Sequence, residues 1–444
     1  MRSSLFLGAV LSVILLFCAD SFASVINVNV RDIKTSSGVR YWFLEEKTFP
    51  VVSISVAFKN SGYLYDPNDK QGLAVLASSI ILQGAVDSEG VSISKKLQNM
   101  GISMNFSADG ENAYISLKTL SENLDDALVM LRQCLFNTSI DQKVFLTEKE
   151  RQKSEVRRAL NEPANLASET LKSLVFKDHP YANVSFGTLQ TVDSISLQDV
   201  QSYIDNTFDL DKMVIGVVGN VDEEHLSEAL DMTFANFKRG QNKNEVKNIA
   251  PALGLRGYVK YDSAQSVVVF SGNGISQDDP NYKVAQVLVN ALGGTALSSV
   301  LMKELRENLG ITYHVGSQLY TFGNYGVFSG ILYTDGVTAR KGIDALLKTI
   351  KEVSNNGLDN TSFEISKSDI VNSFIFSFLN SSSIAGVLRE FQLLDMDVDY
   401  INNYTAEYES ISKEDVDKFA KEFLSDLSIV EVGSKNNIDA EASV

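Results

Sequence analysis

Residues 292–315, LGGTALSSVLMKELRENLGITYHV, set how the rest of the chain is read. From Ser298 the apolar Leu301 and Leu305 stand four apart, with Val300, Met302 and Leu309 on neighbouring turns and Lys303, Glu304, Glu307 and Asn308 polar. That spacing predicts a helix with one buried face. Gly310 is its stop. Ile311 to Val315 is β-branched or aromatic, as a strand would be, and alternation along it sends Tyr313 and His314 to opposite faces.

The same pattern occurs twice. KKLQNMGISMNF at 95–106 matches ELRENLGITYHV at 304–315, each a helix ending in Asn-x-Gly-Ile before a strand, with Ile102 and Ile311 209 residues apart. Around the first copy the periodicity predicts a strand over 51–60, a buried helix over 72–83, a helix over 91–100 and a hairpin over 102–108 and 112–118. Long helices follow near 122–137 and 141–175, then a helix near 197–207, a strand over 213–218 and a helix over 222–236. The second half repeats that order: a strand over 267–270, a helix over 282–292, the quoted helix, a hairpin over 311–321 and 325–334, long helices over 338–356 and 361–380, a helix near 413–424 and a strand over 428–432. Between them, 238–256 is polar, carries Gly and Pro, and lacks a helical or strand period, as a linker would. The fold class expected is α+β: two homologous domains, 24–237 and 257–436, each a mostly antiparallel sheet with helices packed on one face, and a tail at 437–444. A cleft is expected between the halves.

Arg2, the apolar run Leu5 to Phe17 and the small-x-small Ser21-Phe22-Ala23 read as a secretory signal, residues 1–23, with export to the periplasm. A lipoprotein at Cys18 is disfavoured because Phe17 is too bulky for the small residue needed there. No later stretch reaches the 18 or more apolar residues of a membrane span. With the signal removed, Cys134 is the remaining cysteine, which excludes an intramolecular disulfide and a thiolate metal cluster; it sits on an amphipathic helix and reads as buried. The net charge of −17 disfavours nucleic acid and anionic lipid as partners. Ser92-x-x-Lys95 and Ser410-x-x-Lys413 match a Ser-Lys pattern by chance in a Ser-rich chain, and Gly272-x-Gly274 lacks the third Gly of a dinucleotide loop.

The LGG…LRENLGITY run at 292–313, the Gly-Leu-Ala helix at 72–83, and His179-Pro180-Tyr181 with Gly187-Thr188 resemble the M16 family of zinc metallopeptidases over nearly the whole mature chain. The resemblance implies the two-domain LuxS/MPP-like metallohydrolase fold. It also implies an inverted zinc motif, His-x-x-Glu-His, on the helix beginning Gly-Leu-Ala: two His one turn apart for the metal and a Glu as general base. Here those five positions read Val75-Leu76-Ala77-Ser78-Ser79, so both ligands and the base are missing. The family's third ligand corresponds to Glu155, which without its partners reads as a solvated carboxylate. His179, His225 and His314 are never three or four apart, so no zinc is expected on this chain. Arg306 and Tyr313 stand at the family's spacing, and the resemblance implies that such a pair contacts the substrate carbonyl and stabilises the oxyanion at a zinc site across the interface. Read alone, each also fits a bland role: an Arg at the negative end of a helix dipole, a half-buried strand Tyr.

The expectation is therefore a non-catalytic, Arg/Tyr-bearing subunit of a heterodimeric periplasmic M16 zinc metalloendopeptidase. Its partner would be a paralogue carrying zinc, and an extended peptide would add as a strand to a sheet edge. Two alternatives stand beside it: a peptide-binding or assembly scaffold with no role in proteolysis, and an enzyme with its own metal on Glu155 and a distant His.

Overall fold

The computed structural model describes residues 26–438 except 88, 137–139, 295–297 and 323–324. The expected signal peptide and most of the expected tail lie outside these residues. Two sheets organise the chain. The first runs β1 (Arg31–Lys34), β2 (Arg40–Glu45), β6 (Met213–Gly219), β3 (Val51–Phe58), β5 (Ala113–Leu120), β4 (Ser103–Ala108) from edge to edge. The second runs β7 (Arg256–Lys260), β11 (Ser428–Gly433), β8 (Gln265–Ser276), β10 (Tyr325–Asp335), β9 (Thr312–Phe322). Setting β1 aside, the two orders superimpose strand for strand. The single parallel pair falls at the same place in each, β2 with β6 and β7 with β11, and the other pairings are antiparallel. The duplication read from 95–106 and 304–315 is thus a duplication of topology.

Each sheet buries one face under its own helices. In the first half these are α1 (Leu73–Gln83), α2 (Ile93–Asn99), α3 (Leu124–Phe136) and α4 (Gln142–Leu160), followed after α5 (Pro163–Val175) by α6 (Leu189–Ser194), α7 (Leu197–Thr207) and α8 (Glu223–Phe234). Their core gathers Phe58, Leu76, Ile80, Leu131, Ile215 and Phe234. Cys134 is buried in it, and burial pushes its thiol up to about 12. In the second half α9 (Tyr282–Gly293), α10 (Ala339–Asn356), α11 (Asn360–Phe376), α13 (Tyr400–Glu409) and α14 (Lys413–Phe423) lie in chain order around α12 (Ser381–Leu393). Their core holds Phe270, Leu288, Leu305, Phe328 and Leu346.

Helices α6, α12 and α13 are absent from the periodicity reading, and one long helix breaks in two. The helix expected over 141–175 breaks at Asn161-Glu162, because Pro163 has no N–H to give and disfavours helical backbone before it. The piece after the break, α5, crosses to the other half. Its Leu171 and Val175 join Val267, Val269, Val430 and Val432 on the outer face of the second sheet. In return α12 lies on the outer face of the first sheet, with Ile384, Leu388 and Phe391 against Trp42 and Val218. Fully burying three such side chains contributes about 1.5–3 kcal/mol each. Ser53 Oγ to Ser381 Oγ at 2.9 Å and Gln392 Nε2 to Ile215 O at 2.8 Å complete the docking. Each half therefore covers one face of its sheet itself and receives the cover of the other face from its neighbour.

Candidate functional site

The helix that would carry the zinc motif starts at a strained turn. Gly72 has φ +93°, and a Cβ there would meet Phe186 O at 2.5 Å and Gln152 Nε2 at 2.6 Å. Asp66 accepts from Gly72 N at 2.9 Å and Ala74 N at 3.0 Å; burial pushes its carboxyl up to about 8 against the pull of those N–H groups. On the helix itself Val75 offers hydrocarbon, and Ser78 Oγ donates back to Ala74 O at 2.8 Å. Ser79 Oγ accepts from Arg151 Nη2 at 2.7 Å, while Arg151 pairs with Glu148 Oε2 at 2.7–2.8 Å. Glu155, one turn further along α4, accepts from Arg158 Nε at 2.9 Å. A hydrocarbon, two hydroxyls and a permanent guanidinium charge do not fit zinc, which takes imidazole, thiolate or carboxylate in tetrahedral array. Arg151 was not singled out by sequence reasoning; its one signal is that it lies one turn from Glu155 on the same helix face.

The three His side chains are spent separately. His179 Nδ1 accepts from Tyr181 N at 3.2 Å and its Nε2 lies 2.9 Å from Lys247 O, which ties down the loop; burial lowers its pKa, with the Lys247 carbonyl opposing. His225 Nε2 lies 2.9 Å from Asp125 Oδ1. His314 lies tilted beside the Tyr333 ring, with centroids 5.9 Å apart. Among the described residues no group of three His, Cys, Asp or Glu side chains converges as a metal site would require.

Arg306 and Tyr313 occupy a corner of the second sheet. The expected helix is present but widened: Met302–Asn308 is π-helical, with Leu309 N bonding to Glu304 O at 3.1 Å, five residues back. Single π-turns of this kind concentrate at functional sites. Leu309 is 48% exposed rather than buried, because the added residue per turn rotates it out of the apolar stripe. Arg306 is exposed and makes no hydrogen bond or ion pair among the described residues. Ile311 N to Leu305 O at 3.0 Å ties this segment to β9, the free edge of the sheet. There the register slips: Tyr333 faces His314 and Thr334 faces Thr312, leaving Tyr313 as an extra, bulged residue. A bulge cancels strict alternation. Tyr313 and His314 consequently both approach the Tyr333 ring, at 5.5 and 5.9 Å, instead of parting to opposite faces. Tyr313 is 53% exposed.

A cavity of about 820 Å³ opens between α5 and the second sheet, bounded by α9. His314 and β9 residues through Phe322 line it; Arg306, Tyr313 and Val75 to Ser79 do not. Its walls mix apolar and polar side chains, with the charged Glu169 and Lys172 on α5. Burial raises the pKa of the Glu169 carboxyl and lowers that of the Lys172 ammonium, each partly countered by the other's charge.

A duplicated sheet with exchanged helices, and a first-half helix whose Val75, Ser78 and Ser79 offer no imidazole, thiolate or carboxylate, define a two-domain α+β fold of the metallopeptidase kind. The chain belongs to the M16 peptidase family: the insulinase (peptidase family M16) model matches residues 42–189 and the peptidase M16 inactive domain model matches 194–369. It is 24% identical over 403 residues to the non-peptidase homolog YmxG of Helicobacter pylori, covering 88% of this chain and 91% of that one. A Rickettsia felis protein described as an uncharacterized zinc protease is 24% identical over 290 residues, 65% of this chain and 69% of its own. The crystal structure of a peptidase M16 inactive domain from Pseudomonas fluorescens superposes with a TM-score of 0.85 at 21% identity, covering 94% of this chain and all of that one. Among the described residues no helix is long and apolar enough to cross a membrane.

Proposed function

We propose that this chain is the Arg/Tyr-bearing subunit of a heterodimeric, exported M16 metalloendopeptidase whose partner carries His-x-x-Glu-His and zinc. The observation that carries the reading is the corner made by the π-helical segment and the β9 bulge. It presents Arg306 exposed, with no partner among the described residues, and Tyr313 half exposed at a sheet edge, while Val75, Ser78 and Ser79 stand at the zinc-motif positions. A guanidinium is a permanent charge with several donors and a phenol gives one directed hydrogen bond, a pair suited to a developing oxyanion held by another chain's metal. Extended peptide would join β9 by main-chain hydrogen bonds, which read backbone more than side chains.

The test is co-expression of the mature chain with an exported His-x-x-Glu-His paralogue, followed by size exclusion and a fluorogenic-peptide assay. Activity is expected in the mixed species alone. Arg306→Ala or Tyr313→Phe should lower kcat about 100-fold without disturbing assembly, the scale of losing one oxyanion donor. Full activity of the double variant would remove the subunit role.

A second reading, a peptide-holding scaffold with no part in proteolysis, is favoured by the inter-half cavity, which neither Arg306 nor Val75 to Ser79 lines. It predicts peptide binding by the isolated chain that is indifferent to both substitutions.

A further inference from the structure

The cavity under α5 holds polar groups that the fold leaves unsatisfied. Ser271 on β8 is 3% exposed, lies on the same sheet face as Val267 and Val269, and its Oγ makes no hydrogen bond. A buried hydroxyl without a partner costs stability and calls for a reason. Across from it Lys172 lines the same cavity, and its Nζ has one long contact, 3.4 Å to Asn183 O, with no ion pair among the described residues. Glu169, one turn earlier on the same face of α5, makes no hydrogen bond there either. Val269, Phe322 and Ile331 give the wall an apolar stretch beside polar residues such as Asn165, Gln286 and Gln318. A partly buried ammonium whose nearest carboxylate, Glu169, makes no ion pair with it costs solvation that a bound anion would return.

We propose that this cavity receives the free C-terminal end of a short apolar peptide, with Lys172 holding the terminal carboxylate and Glu169 accepting the last peptide N–H. The inference rests on the reading of the chamber as a peptide site. A volume of about 820 Å³ falls in the range of about 300–1,000 Å³ typical of pockets for ligands a few residues long. Lys172 supplies a compact charge that distinguishes a chain end from an internal segment, since a carboxylate is present in the first and absent from the second. Turning about its Cα–Cβ bond, Ser271 would bring its shielded Oγ to the bound backbone for one further hydrogen bond.

The experiment uses the full mature chain and the N-terminally fluorescein-labelled tetrapeptide Ala-Phe-Leu-Val, made once as the free acid and once as the C-terminal amide. Fluorescence anisotropy should show the acid binding about tenfold or more tighter than the amide, the scale of a hydrogen bond to a charged group. Lys172→Met should bring the acid down to the affinity of the amide, and Lys172→Arg should restore part of the preference. Equal affinity for acid and amide in the wild-type chain would overturn carboxylate recognition while leaving the chamber a peptide site. Absence of binding to either at millimolar peptide would overturn the peptide reading of the chamber, and this inference with it. Because the wild-type comparison decides by itself, the outcome stands even where a Lys172 variant folds poorly.

Discussion

At the scale of single residues, the chain separates groups with in-chain work from groups without it. His179 belongs to the first kind. With Tyr181 N donating to Nδ1, the proton sits on Nε2 and can donate to Lys247 O, so the neutral ring is the form the fold uses. Its pKa is lowered on folding, so its contribution is present above the unfolded value of about 6.5 and lost as pH falls through the lower folded value. The drop in Tm between about pH 7.5 and about pH 5 should therefore shrink in His179→Asn, which accepts the Tyr181 N–H without titrating. An unchanged drop would show that the loop is indifferent to this ring. Arg306 and Tyr313 belong to the second kind: both are solvent-facing, so Arg306→Ala and Tyr313→Phe should leave stability within about 0.5 kcal/mol of wild type, measured by urea unfolding. The residue types and spacing of this pair were legible in the sequence; the bulge at Tyr313 was not. A bulge is an outcome of the pairing of two strands, and Thr312 to Val315 alternates normally when read alone.

At the scale of elements, the helices that follow their own apolar stripe, such as α1, α9 and α10, stand where periodicity predicts them. The two helices that cross between halves are not legible as such: α5 reads as the tail of a longer helix, and α12, like α6 and α13, goes unread. Their apolar faces match a sheet distant in sequence, so nothing nearby in the chain announces them. Gly216 on β6 marks how closely α12 seats: a Cβ there would lie 2.3 Å from Ala385 O and 2.8 Å from Leu388 Cβ. Gly216→Ala should cost about 1–3 kcal/mol through overpacking. The single Trp of the chain, Trp42, is 1% exposed beneath α12, so its emission reports this docking directly. A red shift at lower urea in the variant is expected; an unchanged midpoint would mean that the helix slides to accommodate the methyl.

At the scale of the whole molecule, the exchange of α5 and α12 makes the two sheets interdependent. Each lacks the cover for one face when its neighbour is absent, exposing Val267, Val269, Val430 and Val432 on one side and Trp42 and Val218 on the other. Fragments 24–255 and 256–444 expressed separately should bind ANS and aggregate, while co-expression should yield a soluble pair. Soluble, ANS-silent single fragments would show that the halves are autonomous. The sequence by itself determined the duplication, the α+β class, the non-ligand residues Val75 and Ser79 with Ser78 in place of a carboxylate, and the spacing of Arg306 and Tyr313, because each is a matter of residue identity and spacing along one segment. Tertiary structure alone decided that Arg151 reaches Ser79, that Tyr313 is bulged, and that Glu169, Lys172 and Ser271 share one cavity. Those facts depend on which distant surfaces meet, and that is settled by packing two sheets and two exchanged helices together rather than by any local pattern.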